Sequence, residues 1–84
     1  MQSNANLALI GKRITLARKQ KKLSRRIFMI ELRKRGLDVA EATLCNWEHG
    51  YTAFRVHQLV TLAEVLGVSV GYFFGEKDNQ LVGL

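Results

Sequence analysis

The chain has 84 residues, a formal net charge of +6, 48% apolar residues, no proline and one cysteine. That length makes one small domain with a single modest core, and the apolar content argues against a disordered chain. One cysteine excludes an internal disulfide, the apolar runs are too short to cross a bilayer and no leader pattern stands at the start, so a cytoplasmic protein is expected.

The charge is segregated. Between Lys12 and Arg35 lie eleven of the thirteen basic residues and one acid, Glu31, so that segment carries +10 and the remainder −4. A basic half on a small domain favours a polyanion partner, through phosphate contacts and counterion release. A mixed surface would serve solubility equally well, so the segregation points to nucleic acid or an anionic membrane surface.

Helix-forming residues dominate and an all-α fold of five helices is expected. Residues 1–6 read as a frayed polar arm, with Asn4 or Asn6 as a cap. A first helix over Leu7 to Gln20 carries Leu7, Ile10, Ile14 and Ala17 at amphipathic spacing. Gly11 costs helix propensity there and is either tolerated or permits the close approach of another helix. Lys12, Arg13, Arg18, Lys19, Lys21 and Lys22 load its polar side and exit.

Ser24 caps a second helix that ends near Arg35, with Gly36 as its stop and Phe28, Leu32 and Ile27 as its core side. Arg25 and Arg26 stand in its first turn, against the helix dipole. A phosphate bound at that end resolves the conflict, because free amides and arginine both attract it. The plainer reading is two solvated arginines at a cost of a few tenths of a kcal/mol.

The stretch Asp38 to Gly50 reads as a short helix with Asp38 as N-cap, Glu41 at capping-box spacing and Gly50 as its stop. Val39 or Ala40, Leu44 and Trp47 form the inner face. Glu41, Ala42, Cys45, Asn46 and His49 form a short polar face of the kind that enters a groove. A fourth helix begins at Arg55 with the stripe Val56, Leu59, Val60, Ala63 and Leu66, ended by Gly67. Ser69 caps a last helix, Val70 to Phe74, ended by Gly75. Of its aromatics, one closes the core and another is available for a dimer contact. Residues 76–84 form a polar tail.

This order of elements resembles the Cro/repressor-type, lambda-repressor-like helix-turn-helix family over about Ile10 to Gly75. The most specific pieces are Ile10-Gly11-Lys12-Arg13-Ile14, Leu23-Ser24, Thr43-Leu44 with Asn46-Trp47-Glu48 and Gly50, and Leu62-Ala63 with Leu66-Gly67-Val68-Ser69. The resemblance implies a five-helix DNA-binding domain over residues 1–75 whose third helix enters the major groove. By position, Glu41, Ala42 and Asn46 would meet base edges. Asn46 suits adenine, Ala42 a thymine methyl and Glu41 cytosine N4, although a capping box would compete for Glu41. Ser24, Arg25, Arg26, Thr43 and Arg55 would meet the DNA backbone, and Arg18 would form a structural ion pair with Glu48. The chain departs from the family in being about five residues longer between Ser24 and Gly50, in having Arg25 where glutamine is usual, and in lacking a proline before the fourth helix. Arg33, Lys34 and Arg35 would either touch phosphate or solvate the longer helix end.

Trp47 is expected in the core and Cys45 as a small tolerated residue, with a redox role as the alternative. His49 and His57 lack the partners of a metal site or catalytic pair, and no nucleophile motif or phosphate-binding glycine loop occurs. Neither enzyme activity nor a cofactor is expected. The implied protein is a transcriptional repressor that binds double-stranded DNA as a homodimer. The rival reading is an antitoxin-like module that keeps the fold and binds a protein partner. A basic helix lying on anionic lipid would leave the capped third helix unexplained, so no membrane association is expected.

Overall fold

The computed structural model describes residues 3–75, and those residues form five helices and no strand. They are α1 (Ser3–Gln20), α2 (Arg25–Lys34), α3 (Glu41–Glu48), α4 (Val56–Leu66) and α5 (Val70–Phe73). The expected polar tail after Gly75 lies outside the described residues. α1 packs against α3, α4 and α5, and α2 packs against α3 and α4. One core results, with Ile14, Phe28, Leu32, Leu44, Leu62 and Phe73 fully enclosed. Trp47 closes it from α3 and touches Phe54, with the ring centres 5.2 Å apart.

Several helix ends follow local chemistry. The Ser24 hydroxyl accepts from the Ile27 amide at 3.1 Å and the Ser69 hydroxyl from the Tyr72 amide at 3.2 Å. The expected stops Gly36, Gly50, Gly67 and Gly75 all have positive φ. α1 stops without a glycine. Lys22 takes φ +60°, and the Leu23 amide reaches back to the Arg18 carbonyl at 3.1 Å.

Two glycines let α1 lie on the end of α3. A Cβ on Gly11 would stand 2.6 Å from the Glu48 carbonyl oxygen and crowd that of Trp47. A Cβ on Gly50 would stand 2.9 Å from the Ala8 Cα. The obstacles are backbone atoms, which cannot swing aside. Gly11 is therefore the close-approach glycine, not a tolerated one.

Some expectations change. α1 begins at Ser3, so residues 3–6 are helical and neither Asn4 nor Asn6 is a cap. α3 begins at Glu41, not Asp38. Asp38 turns away to the Arg33 side chain at 3.3 Å, and Val39 packs on the core. Ala40, extended at φ −78° and ψ 158°, takes the cap position with no side chain able to accept a bond. The capping box at Asp38 and Glu41 does not form, because the apolar anchor between them sets the chain's entry. In α4 the buried side is Leu59, Leu62, Ala63 and Leu66, while Val56 is 79% exposed and Val60 41%. Ile27 is likewise exposed, at 44%, since Phe28 and Leu32 already fill the inner face of α2. Of the three final aromatics, Tyr72 and Phe73 are buried and Phe74 is exposed.

The α2–α3 connection runs over residues 35–40, longer than the 3–4-residue turn usual between such helices. α2 is ten residues long and ends at Lys34, so most of the stretch expected to lengthen the second helix or its turn lies in the connection. Leu37 is buried and its amide bonds back to the Leu32 carbonyl at 3.0 Å, so the longer connection is anchored.

Two stability measurements check these assignments. Ala40→Ser supplies the missing N-cap acceptor and is expected to raise unfolding free energy in urea by about 0.5–2 kcal/mol. Gly11→Ala forces α1 off the α3 backbone and is expected to lower it by about 1–3 kcal/mol.

Candidate nucleic-acid interface

The exposed face of α3 consists of Glu41, Ala42 and Asn46, with Thr43 and Cys45 half-buried beside them and His49 exposed just past its end. The expected two-sided helix is therefore present: Leu44, Trp47 and Glu48 point inward. The His49 Nδ1 lies 2.8 Å from the Cys45 carbonyl oxygen, and its ring stacks on Tyr51 with centres 5.3 Å apart.

Next to this face is an open concavity of about 750 Å³. α1 contributes Lys12, Thr15, Leu16 and Lys19, which recur at helical spacing on one side, together with Arg18. The start of α2 contributes Ser24, Arg25 and Arg26, α3 contributes Glu41 and Glu48, and His49 follows as its C-cap. Three of the five residues expected at a DNA backbone, Ser24, Arg25 and Arg26, thus meet Glu41 in one hollow. Ala42 and Asn46 are on the same helix but do not line it. Thr43 is half-buried in the first turn of α3, and Arg55 stands apart as the exposed N-cap residue of α4, its amide donating to the Gln58 side chain at 2.8 Å.

The floor of the hollow is a buried ion cluster. The Arg18 Nε donates to Glu48 Oε2 at 2.7 Å and its Nη2 to Oε1 at 3.2 Å. The Arg18 Nη1 donates to the Leu23 carbonyl at 2.7 Å. Arg18 is 7% exposed and Glu48 8%. The expected ion pair is present, with a member that sequence reasoning missed: the Arg25 Nε also donates to Glu48, at 2.9 Å to Oε1. That hydrogen bond, and then the carboxylate charge, raise the Arg25 pKa above its ordinary value, so Arg25 stays a cation. The available signal was Arg25's place against the helix dipole, which fitted either a bound phosphate or a solvated side chain.

Cations are treated differently at the two ends of α2. At its C-terminal end Lys34 meets Glu31 at 3.2 Å, Arg33 meets Asp38 at 3.3 Å and Arg35 meets Glu64 at 3.6 Å. All three pairs are exposed, and each of these cations has a carboxylate of the protein beside it. Around the hollow, Lys12, Lys19 and Arg26 have no carboxylate partner among the described residues. Arg13 is occupied otherwise, its guanidinium lying 4.7 Å from the centre of the Tyr72 ring.

No group of three metal-ligating side chains occurs among the described residues, and none of the helices there is long and apolar enough to cross a membrane. No family model, curated protein or solved structure matches the chain.

The cluster makes a differential prediction. Glu48→Ala strands the buried Arg18 and is expected to cost about 3–5 kcal/mol of stability. Arg25→Ala removes a partly exposed partner and is expected to cost no more than about 1 kcal/mol. Equilibrium urea unfolding of the two variants checks the difference.

Proposed function

We propose that the chain is a sequence-specific double-stranded DNA-binding transcriptional regulator with a lambda-repressor-like fold. It acts as a cytoplasmic repressor, a homodimer on a palindromic operator, and needs neither cofactor nor catalytic activity. The observation that carries this reading is the placement of cations with no carboxylate partner among the described residues. Lys12, Lys19 and Arg26 surround a hollow beside the exposed face of α3, while the cations at the far end of α2 are neutralised locally. A duplex presents phosphates on both sides of its major groove, so a polar helix flanked by free cations suits it.

In this reading α3 lies in the major groove with Glu41, Ala42 and Asn46 at base edges. Its capping box being absent, Glu41 is free to accept from cytosine N4. Ser24, Arg25 and Arg26 meet one phosphate region at the start of α2, where unsatisfied amides add to the attraction. Thr43 and Arg55 meet the backbone on the flanks. One such domain reads few base pairs, and a two-fold dimer doubles them. Val56, Val60 and Phe74 remain as exposed apolar side chains for contact between copies.

Selection from a random duplex library at near-physiological salt tests the reading, and an enriched palindrome is the expected result. Asn46→Ala is expected to relax one base position, at a cost of about 1–3 kcal/mol for the preferred base. Arg26→Ala is expected to weaken all sequences alike and to lower the salt slope by about 1. No enrichment, with binding that vanishes as salt rises, would leave only a basic surface and refute sequence-specific readout.

A further inference from the structure

Arg18 and Arg25 share one carboxylate but use it differently. Arg18 engages all three of its guanidinium nitrogens within the protein, two on Glu48 and one on the Leu23 carbonyl. Arg25 is gripped at Nε alone. Its two terminal nitrogens, which carry four N–H groups, have no hydrogen-bond partner among the described residues. A guanidinium is planar, so a bond at Nε fixes the direction in which that terminal end projects. The side chain is 35% exposed and lines the hollow, whereas the carboxylate that holds it is 2% exposed. Two cations on one carboxylate also leave a positive charge in excess, on the residue nearer solvent.

We infer that Glu48 is a positioning residue of the proposed interface: it holds Arg25 at Nε so that both terminal nitrogens are offered to a phosphodiester of the duplex. The inference rests on the DNA-binding reading. Two N–H groups of a guanidinium match two phosphate oxygens in a fork, which a single ammonium cannot do. A side chain already held in place loses less freedom when it binds. Arg18 secures the carboxylate from the buried side, so the line of support runs from Arg18 through Glu48 and Arg25 to the phosphate. Lysine at position 25 would keep the charge, but it has no Nε to be gripped while a separate fork stays free.

The test is the affinity for one duplex at fixed low salt, measured for the unaltered protein and for Arg25→Lys, Arg25→Ala and, as a control outside the hollow, Arg33→Lys. Arg25→Lys is expected to lose about tenfold or more, as Arg25→Ala does, while Arg33→Lys stays at the unaltered value. In the nuclear magnetic resonance spectrum of the free protein, the Arg25 Nε–H is expected to exchange more slowly than that of Arg26. Glu48→Gln, if circular dichroism shows it folded, is expected to abolish that protection and lower affinity to the Arg25→Lys level. If it does not fold, Arg25→Lys and the exchange measurement decide. Full affinity in Arg25→Lys, or an Arg25 Nε–H that exchanges as fast as that of Arg26, overturns the positioning role and leaves DNA binding standing. An unaltered protein that binds no duplex at low salt overturns both.

Discussion

A carboxylate removed from water is what the three-helix junction depends on. Glu48 is nearly inaccessible, and taking such a charge out of water costs several kcal/mol unless its oxygens are met by good donors. Arg18 from α1 and Arg25 from α2 supply those donors, so the last turn of α3 is tied to both other helices through one side chain. The backbone makes the same junction possible. Gly11 lets α1 come down on the carbonyls of Trp47 and Glu48, and Gly50 lets the chain leave α3 beneath Ala8. Close approach and buried charge therefore reinforce each other at one place. Widening the gap would admit water to the carboxylate and lengthen its bonds to Arg18.

The same cluster shapes the outer surface. Because Glu48 is shared, its negative charge is spent inside and the hollow above it stays positive. The far end of α2 also carries cations, Arg33, Lys34 and Arg35, but each is paired, with Asp38, Glu31 and Glu64 respectively. Net charge alone does not distinguish these ends; pairing does. In the proposed reading, a field that survives pairing would steer the duplex toward the face where α3 exposes Ala42 and Asn46.

Local signals were legible where one residue decides the outcome. Ser24, Ser69 and the positive-φ glycines are stop-and-start chemistry that acts within a turn, and all behave as read. The inner face of α3 was legible because Leu44 and Trp47 are the large apolar residues in it. The reading failed where two local rules competed. Asp38 and Glu41 have the spacing of a capping box, yet Val39 between them is drawn to the core and the N-cap falls two residues later, at Ala40. In α4, Val56 and Val60 fit a helical stripe as well as Leu62 does, and only the position of α1 and α2 shows which side faces inward.

Read along the chain, the residues already specify an all-helical protein, the number and order of its helices, most of its core residues and a basic half set against an acidic one. These follow from propensity, periodicity and capping, which are properties of neighbours along the chain. The resemblance to a known family supplied one long-range contact, Arg18 to Glu48. Tertiary structure decided the rest: that Arg25 joins that pair, that Gly11 is a contact glycine, that α3 starts at Glu41, and which cations remain unpaired. Each of these depends on distances between residues far apart in sequence, such as Arg25 and Glu48. Desolvation and steric exclusion act between groups that the fold brings together, so local patterns along the chain do not show them.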